Sequence, residues 1–155
     1  MSSLIELATP ALPEEPRGLD AVPDWAELAA LWNANDMAAA HDWLNQRWSR
    51  LVTTRLGGTQ DPEAEFMQGL AFATIALHFT QTANQEGALM MIDDALLVLG
   101  KYRPEFLGVD VEPVIGTLEE LRPMIVGLAP DAECPMQPFV YRRFKYRPAA
   151  LWSRA

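Results

Sequence analysis

Two histidines, His41 and His78, are the only ones in the chain and are its side chains best able to bind a metal or transfer a proton. Asp42 adds a carboxylate beside the first of them. Imidazole and carboxylate groups are common ligands of divalent metals, which require three or four of them. Two interpretations are open: a metal-assisted hydrolase or related enzyme using His41, Asp42 and His78, or a protein without a cofactor, whose histidines are structural and hydrogen-bonded.

Two helices must position these histidines. Apolar residues recur at intervals of three and four from Met37 to Leu51, which is typical of a helix face, and Gly57-Gly58 ends this segment. A second helix is predicted from about 62 to 82. If the two form an antiparallel hairpin, a rise of about 1.5 Å per residue leaves the two imidazoles only roughly 5 Å apart in level. We therefore expect one polar pocket between these helices.

The remaining members of the candidate pocket are predicted from the same geometry. Asn45 follows His41 by one helical turn, and Trp48 and Gln68 lie at the same level near the loop between the helices. An indole N–H usually has a hydrogen-bond partner when it is buried. We expect the Trp48 indole to bond with the Gln68 amide.

The other segments also favour helices, so the sequence predicts an all-α fold, a compact bundle of about five helices with no strand in its core. Each predicted helix begins at a side chain able to cap it. These residues are Asp24, Asp36, Asp61, Asn84 and Asp110. The helix after Asn84 is apolar around much of its circumference and is predicted to be the most buried.

Composition restricts the functional classes. The 155 residues carry a formal net charge of −9, which argues against coating nucleic acid, since phosphate binding depends on Lys and Arg. A single cysteine, Cys134, excludes an internal disulfide and fits a reducing compartment. With neither a secretory leader pattern nor an apolar run long enough to span a membrane, the protein is expected to be cytoplasmic. Nucleotide-binding glycine loops and a serine nucleophile elbow are both missing from the sequence.

The sequence divides into a proline-rich extended arm (1–23), a helical domain (24–129) and a basic–aromatic tail (130–155). The last 14 residues hold five basic residues and no acidic one, so the first 141, with seven basic and 21 acidic residues, carry a net charge of −14. The candidate binding residues of the tail are Tyr141, Arg142, Arg143, Phe144, Lys145, Tyr146, Arg147 and Trp152. The tail is expected to dock on the acidic body of its own chain or of a second copy, on a partner protein, or on single-stranded nucleic acid; the charge of the body disfavours the last.

Two motifs between about 26 and 122 resemble the domain of unknown function 309 family, small all-helical proteins whose activity is not established. The first is an asparagine turn, LWNAND, followed on a helix by His41, Asp42, Asn45 and Trp48. The second consists of Phe66, Gln68, Gly69 and Leu70, then His78, then Asn84, Gly87 and Ala88. Asp42 and Asn45 stand where the family has two glutamates, which weakens any metal or acid–base role of that pair.

These observations favour a non-enzymatic helical scaffold or protein-interaction module. The body has too few acidic side chains near its histidines for a metal site, and its two arms are available to contact a partner protein or a second subunit. Five tryptophans and seven methionines supply adaptable apolar surface for such contacts. The alternative is the metal-assisted enzyme with its site between the second and third helices.

Overall fold

The structure, a computed structural model, describes residues 23–129, 132 and 142–148. Its described residues form mainly α-helices and confirm the predicted bundle. The helices are α1 (Ala26–Asn33), α2 (Met37–Thr54), α3 (Pro62–Gln81), α4 (Gln85–Leu99) and α5 (Glu112–Val126). Short 3₁₀ turns at Gly58–Gln60 and Gly100–Tyr102 follow α2 and α4. The predicted N-terminal arm lies outside the described residues except for Pro23.

Three of the predicted helix starts are confirmed by side-chain caps. Asp36 accepts a hydrogen bond from the Ala39 N–H at 3.2 Å at the start of α2. The equivalent bonds for α3 and α4 are accepted by Asp61 and Asn84, at 3.0 and 2.9 Å. Each cap satisfies a backbone donor that the helix itself cannot pair, so local sequence is sufficient to place these starts.

The other two predicted starts are displaced. α1 begins at Ala26 with Trp25 at the cap position and no side-chain cap. Asp110 belongs to a strand, and α5 begins two residues later, at Glu112. Both aspartates still act locally, because Asp24 Oδ1 accepts the Ala26 N–H at 3.1 Å and Asp110 Oδ1 accepts the Glu112 N–H at 3.3 Å. Tertiary contacts add to this signal, since the Trp25 indole donates to the Leu107 carbonyl and Asp110 pairs with the tail.

A small antiparallel sheet contradicts the expectation that the core contains no strand. Its strands are β1 (Glu105–Phe106), β2 (Val109–Asp110) and β3 (Lys145–Tyr146), in that spatial order. Leu107 and Gly108 join β1 to β2 with φ angles of 52° and 85°, the two positive values that a type I′ hairpin turn requires. Strands of two residues are too short for alternation to be recognised in the sequence.

The core is organised around α3, which packs against both α2 and α4. Twelve of its 20 residues are buried, against five of 15 in α4. The prediction that α4 is the most buried helix is therefore wrong: Met90 and Leu97 on its outer face are 57% and 74% exposed. Position in the bundle decides burial here, since α3 packs closely against both α2 and α4, whereas α4 packs closely on α3 and more sparsely on α5.

The contact between α3 and α4 depends on Gly69. A Cβ atom added at Gly69 would lie 2.8 Å from Cγ1 of Val98 and 3.0 Å from Cδ2 of Leu99. Both distances are shorter than an ordinary carbon–carbon contact. The absence of a side chain at this position sets how closely the two helices approach.

We expect Gly69→Ala to lower the free energy of unfolding by about 1–3 kcal/mol, because the added methyl overpacks the contact between α3 and α4. Urea denaturation measures the change as a lower midpoint. Gly100→Ala is the matched control: a Cβ there has no neighbour within 4 Å, and its φ of −59° suits alanine. Equal midpoints for the two variants would contradict this account of the helix contact.

Candidate functional site

The polar side chains that α2 contributes to the predicted pocket are more exposed than the sequence suggested. The His41 side chain on α2 is 32% exposed, and its Nδ1 lies 3.9 Å from Oδ1 of Asp42. Asp42 itself is 79% exposed, and Asn45 is also exposed. These two side chains therefore lie on the solvent side of α2.

The residues contributed by α3 are half-buried. They are Gln68 and His78, and the His78 ring centroid lies 6.3 Å from that of Phe79. In the part of the chain that the structure describes, no group of three or more His, Cys, Asp or Glu side chains is placed to hold a metal ion. The set proposed for the enzyme alternative, His41, Asp42 and His78, is not assembled as a three-ligand site.

The expected hydrogen bond between Trp48 and Gln68 is not present. The Trp48 indole nitrogen is buried and has no hydrogen-bond partner among the described residues. The ring packs against the core by its apolar surface. Burial of an N–H without a partner costs about 1–3 kcal/mol, and the packing of the Trp48 ring against the core offsets this cost.

Salt bridges across the loop between α2 and α3 are a feature that sequence reasoning missed. Glu63, only 8% exposed, accepts hydrogen bonds from Arg47 Nε at 2.6 Å and from Arg55 at 3.3 Å. Arg55 also donates to Asp61, the residue that caps α3. A nearly buried carboxylate needs such partners. This network fixes how α2 and α3 meet.

A second polar arrangement joins the tail to the body. The Asn33 side chain, at the end of α1, bonds the backbone of Phe144 twice: its Oδ1 accepts from the Phe144 N–H at 2.7 Å, and its Nδ2 donates to the Phe144 carbonyl at 3.3 Å. One amide side chain thereby satisfies both backbone groups of a residue 111 positions away.

The Phe144 side chain fills an aromatic pocket beneath this amide. It is 3% exposed, and its ring centroid lies 5.2 Å from that of Trp32 and 6.3 Å from that of Trp25. Centroid distances of this size are typical of favourable aromatic pairs. We call the surface formed by Trp25, Trp32, Asn33 and strand β2 the tail groove.

The tail backbone extends the sheet along the tail groove. In β3, Lys145 pairs with Asp110 and Tyr146 with Val109, and the Arg147 N–H donates to the Gly108 carbonyl at 2.7 Å. The described tail residues therefore bind as an added strand. Backbone bonds of this kind do not depend on side-chain identity.

Ion pairs flank the added strand. Arg142 donates to Glu120 on α5, and Arg147 donates to Glu105 on β1. The Arg142 N–H also donates to the Thr117 hydroxyl at 2.9 Å. Residues 142–148 thus dock on the acidic body of their own chain, one of the placements that the sequence left open. Tyr141 and Trp152 lie outside the described residues.

An aromatic cluster supports the floor of the tail groove. Phe66 packs edge-on to Trp25 and to Phe106, with centroid distances of 6.2 and 5.0 Å. Tyr102 joins this cluster and donates its hydroxyl to Glu65 at 2.6 Å. Burial and the bonded carboxylate raise the pKa of Tyr102 well above 10, so the phenol stays protonated and keeps donating to Glu65.

Glu65 is held ionised by its donors. The Lys101 ammonium, 2.8 Å away, and the Tyr102 hydroxyl lower the pKa of this carboxyl below its ordinary value of 4.5. Hydrogen bonds that favour the charged form act in this direction. Glu65 therefore holds Tyr102 in place beneath the tail groove.

The tail groove was only partly visible in the sequence. The LWNAND turn contains Asn33, and the turn is confirmed, with Asn35 at a φ of 63°. The alternation of Phe144 and Tyr146 with Lys145 and Arg147 is the period of a half-buried strand. That alternation was the available signal for β3, although it does not identify the partner strand.

No protein-family model, curated protein or solved structure matches the chain. The resemblance to the domain of unknown function 309 family thus rests on the quoted motifs and stays a prediction. No helix within the described ranges is long and apolar enough to cross a bilayer.

We expect Asn33→Ala to lower the free energy of unfolding by about 1–3 kcal/mol, because both backbone groups of Phe144 lose their partner. Amide hydrogen exchange at Phe144 should accelerate relative to the core of α3. Asn45→Ala, at an exposed position on α2, is the matched control and should leave that exchange rate unchanged. Unaltered exchange at Phe144 in Asn33→Ala would contradict the anchoring role of the amide.

A second prediction concerns pH. Because folding lowers the pKa of Glu65, its contribution to stability is present above about 4.5 and is lost as the pH falls through the folded-state value. Glu65→Gln should cost about 1 kcal/mol at pH 7, a figure reduced by solvent screening, and the difference from the native chain should be smaller at pH 3 than at pH 7.

Urea denaturation at both pH values measures this difference. Glu119→Gln, at an exposed position on α5, is the control and should unfold like the native chain at pH 7. If Glu65→Gln lowers the free energy of unfolding equally at pH 7 and pH 3, ionisation of this carboxyl does not contribute to stability.

Proposed function

We propose that the protein is a non-enzymatic helical interaction module whose tail groove recognises an extended basic–aromatic peptide segment. The observation that supports this proposal is the double hydrogen bond between Asn33 and the backbone of Phe144, combined with burial of the Phe144 ring. In the folded chain the groove holds residues 142–148. A segment of the same character from a second copy or another protein would bind in the same way.

The groove combines two kinds of recognition. The edge of β2 and the Asn33 amide bind any extended backbone, which supplies affinity without regard to sequence. The pocket between Trp25 and Trp32 accepts an aromatic ring, and this supplies selectivity. A peptide with an aromatic residue at the position of Phe144 satisfies both requirements.

Charge adds a further preference. Glu105 and Glu120 lie at the two ends of the groove and bind the arginines of the tail. These pairs are about half exposed, so each contributes little affinity but favours a basic partner during association. The net charge of −14 on the first 141 residues acts in the same direction.

Occupation by the chain's own tail would regulate binding. A covalently attached segment competes at a high effective concentration, on the order of millimolar. An outside segment therefore binds when the tail is released or when it binds more tightly than the tail. Competition of this kind explains why the tail groove is occupied by residues 142–148 when no partner is present.

The test uses the full-length chain and a fluorescein-labelled peptide, Arg-Arg-Phe-Lys-Tyr-Arg-Pro, which copies residues 142–148. In the double variant Arg142→Glu and Arg147→Glu, the tail is repelled by Glu120 and Glu105 while the core stays intact. Fluorescence anisotropy should show at least tenfold tighter peptide binding by this variant than by the native chain.

Two controls define the result. Lys145→Glu reverses an exposed tail charge without removing either ion pair, and it should bind the peptide like the native chain. A peptide with alanine in place of its phenylalanine should not bind the double variant. If the folded double variant fails to bind the original peptide, the proposed function is wrong.

A further inference from the structure

We infer that the protein has a second site, a cavity beside Arg143 that binds a small organic carboxylate with a short apolar body. The cavity has a volume of about 210 Å³ and lies where α1, the turn after it, α3, α5 and the tail meet. This inference does not depend on the peptide specificity proposed above. We call this space the Arg143 cavity.

The floor of the Arg143 cavity is apolar. Trp32, Met37, Leu77 and Val114 line it, and each is at most 4% exposed. These side chains come from α1, α2, α3 and α5, so the floor is part of the packed core. An aliphatic or aromatic body placed against them would be removed from water, which favours binding.

The mouth of the cavity is lined by hydrogen-bond donors. Arg143 and Asn35 are exposed there, and Thr117, which is 4% exposed, contributes a hydroxyl. The Thr117 oxygen already accepts the Arg142 N–H, so its own proton can be donated to a ligand. No Asp or Glu is among the described residues that line the cavity.

Arg143 differs from other arginines of the described residues in its surroundings. Arg103, Arg122 and Arg142, for example, each donate to a carboxylate. Arg143 has no hydrogen bond or ion pair with any residue in ranges 23–129 and 142–148. In an acidic protein, an arginine without a carboxylate partner at the mouth of a cavity is suited to an anionic ligand.

The size of the cavity limits the ligand. The cavity is smaller than the pockets of about 300–1,000 Å³ that hold drug-sized ligands, so its ligand is small. A carboxylate is the anion that fits a guanidinium in a planar, bidentate manner. The ligand class is therefore a monocarboxylate with a short apolar body, for which pentanoate is the probe.

Ligand binding is expected to stabilise the docked tail, because Arg143 belongs to the tail and the floor belongs to the body. A ligand that contacts both binds only while they are together, and it shifts the equilibrium toward docking. Phe144, the neighbour of Arg143, carries the backbone N–H that Asn33 accepts. Exchange of that amide proton reports the shift.

The test titrates the full-length native chain with pentanoate, followed by NMR shifts of the Trp32 indole N–H. We expect saturable binding in the millimolar range, at least tenfold tighter than that of pentanol or acetate. Pentanol has the apolar chain without the carboxylate, and acetate has the carboxylate without the chain. Pentanoate at saturation should also slow amide exchange at Phe144. Pentanol binding as tightly as pentanoate would overturn the carboxylate assignment.

Two exposed tail variants provide the decisive comparison. Arg143→Gln should weaken pentanoate binding at least tenfold, because the carboxylate loses its guanidinium partner. Lys145→Gln removes a neighbouring positive charge that does not line the cavity, and it should leave the affinity unchanged. Equal weakening by both variants, or no weakening by Arg143→Gln, would exclude this site, whatever the outcome of the peptide experiment.

Discussion

Burial of Phe144 between Trp25 and Trp32 is the contact on which much of the remaining structure depends. The ring closes the aromatic pocket, while the Asn33 amide pairs both backbone groups of the same residue. Burial of the ring takes the Phe144 backbone out of water as well, and the Asn33 amide removes the cost of leaving those two backbone groups unpaired. Together they join residues 142–148 to α1 and allow β3 to complete the sheet.

The same contact defines both proposed sites. On one side of Phe144 the backbone extends along β2, and the flanking arginines pair with Glu105 and Glu120. On the other side, the Arg143 cavity opens over the core. The Arg143 cavity is lined by residues of both the tail and the body, so it exists only while the tail is docked. The tail groove consists of body residues and becomes free for an outside segment when the tail is displaced. Tail docking therefore links the two sites energetically without a direct contact between their ligands.

The predicted pocket between α2 and α3 shows that the place of a residue on a helix does not determine whether its side chain is buried. Helical spacing correctly placed His41 on α2 and His78 on α3, yet Asp42 is 79% exposed and Trp48 buries its indole nitrogen without a partner. Spacing fixes which residues share a helix face, but the packing of neighbouring helices decides which of them are enclosed. Here that packing yields an apolar contact around Trp48 and no three-ligand group among the described histidines and acids.

The sequence alone determined the helices and, to within two residues, their starts, because a cap such as Asp61 or Asn84 acts within three residues and apolar periodicity acts within one helix. It also determined that the tail carries charge opposite to the body. Only the tertiary structure decided that Asn33 binds Phe144 and that β2 accepts a third strand. These contacts join residues more than 30 positions apart, and no local pattern specifies which distant partner a side chain or strand edge will meet.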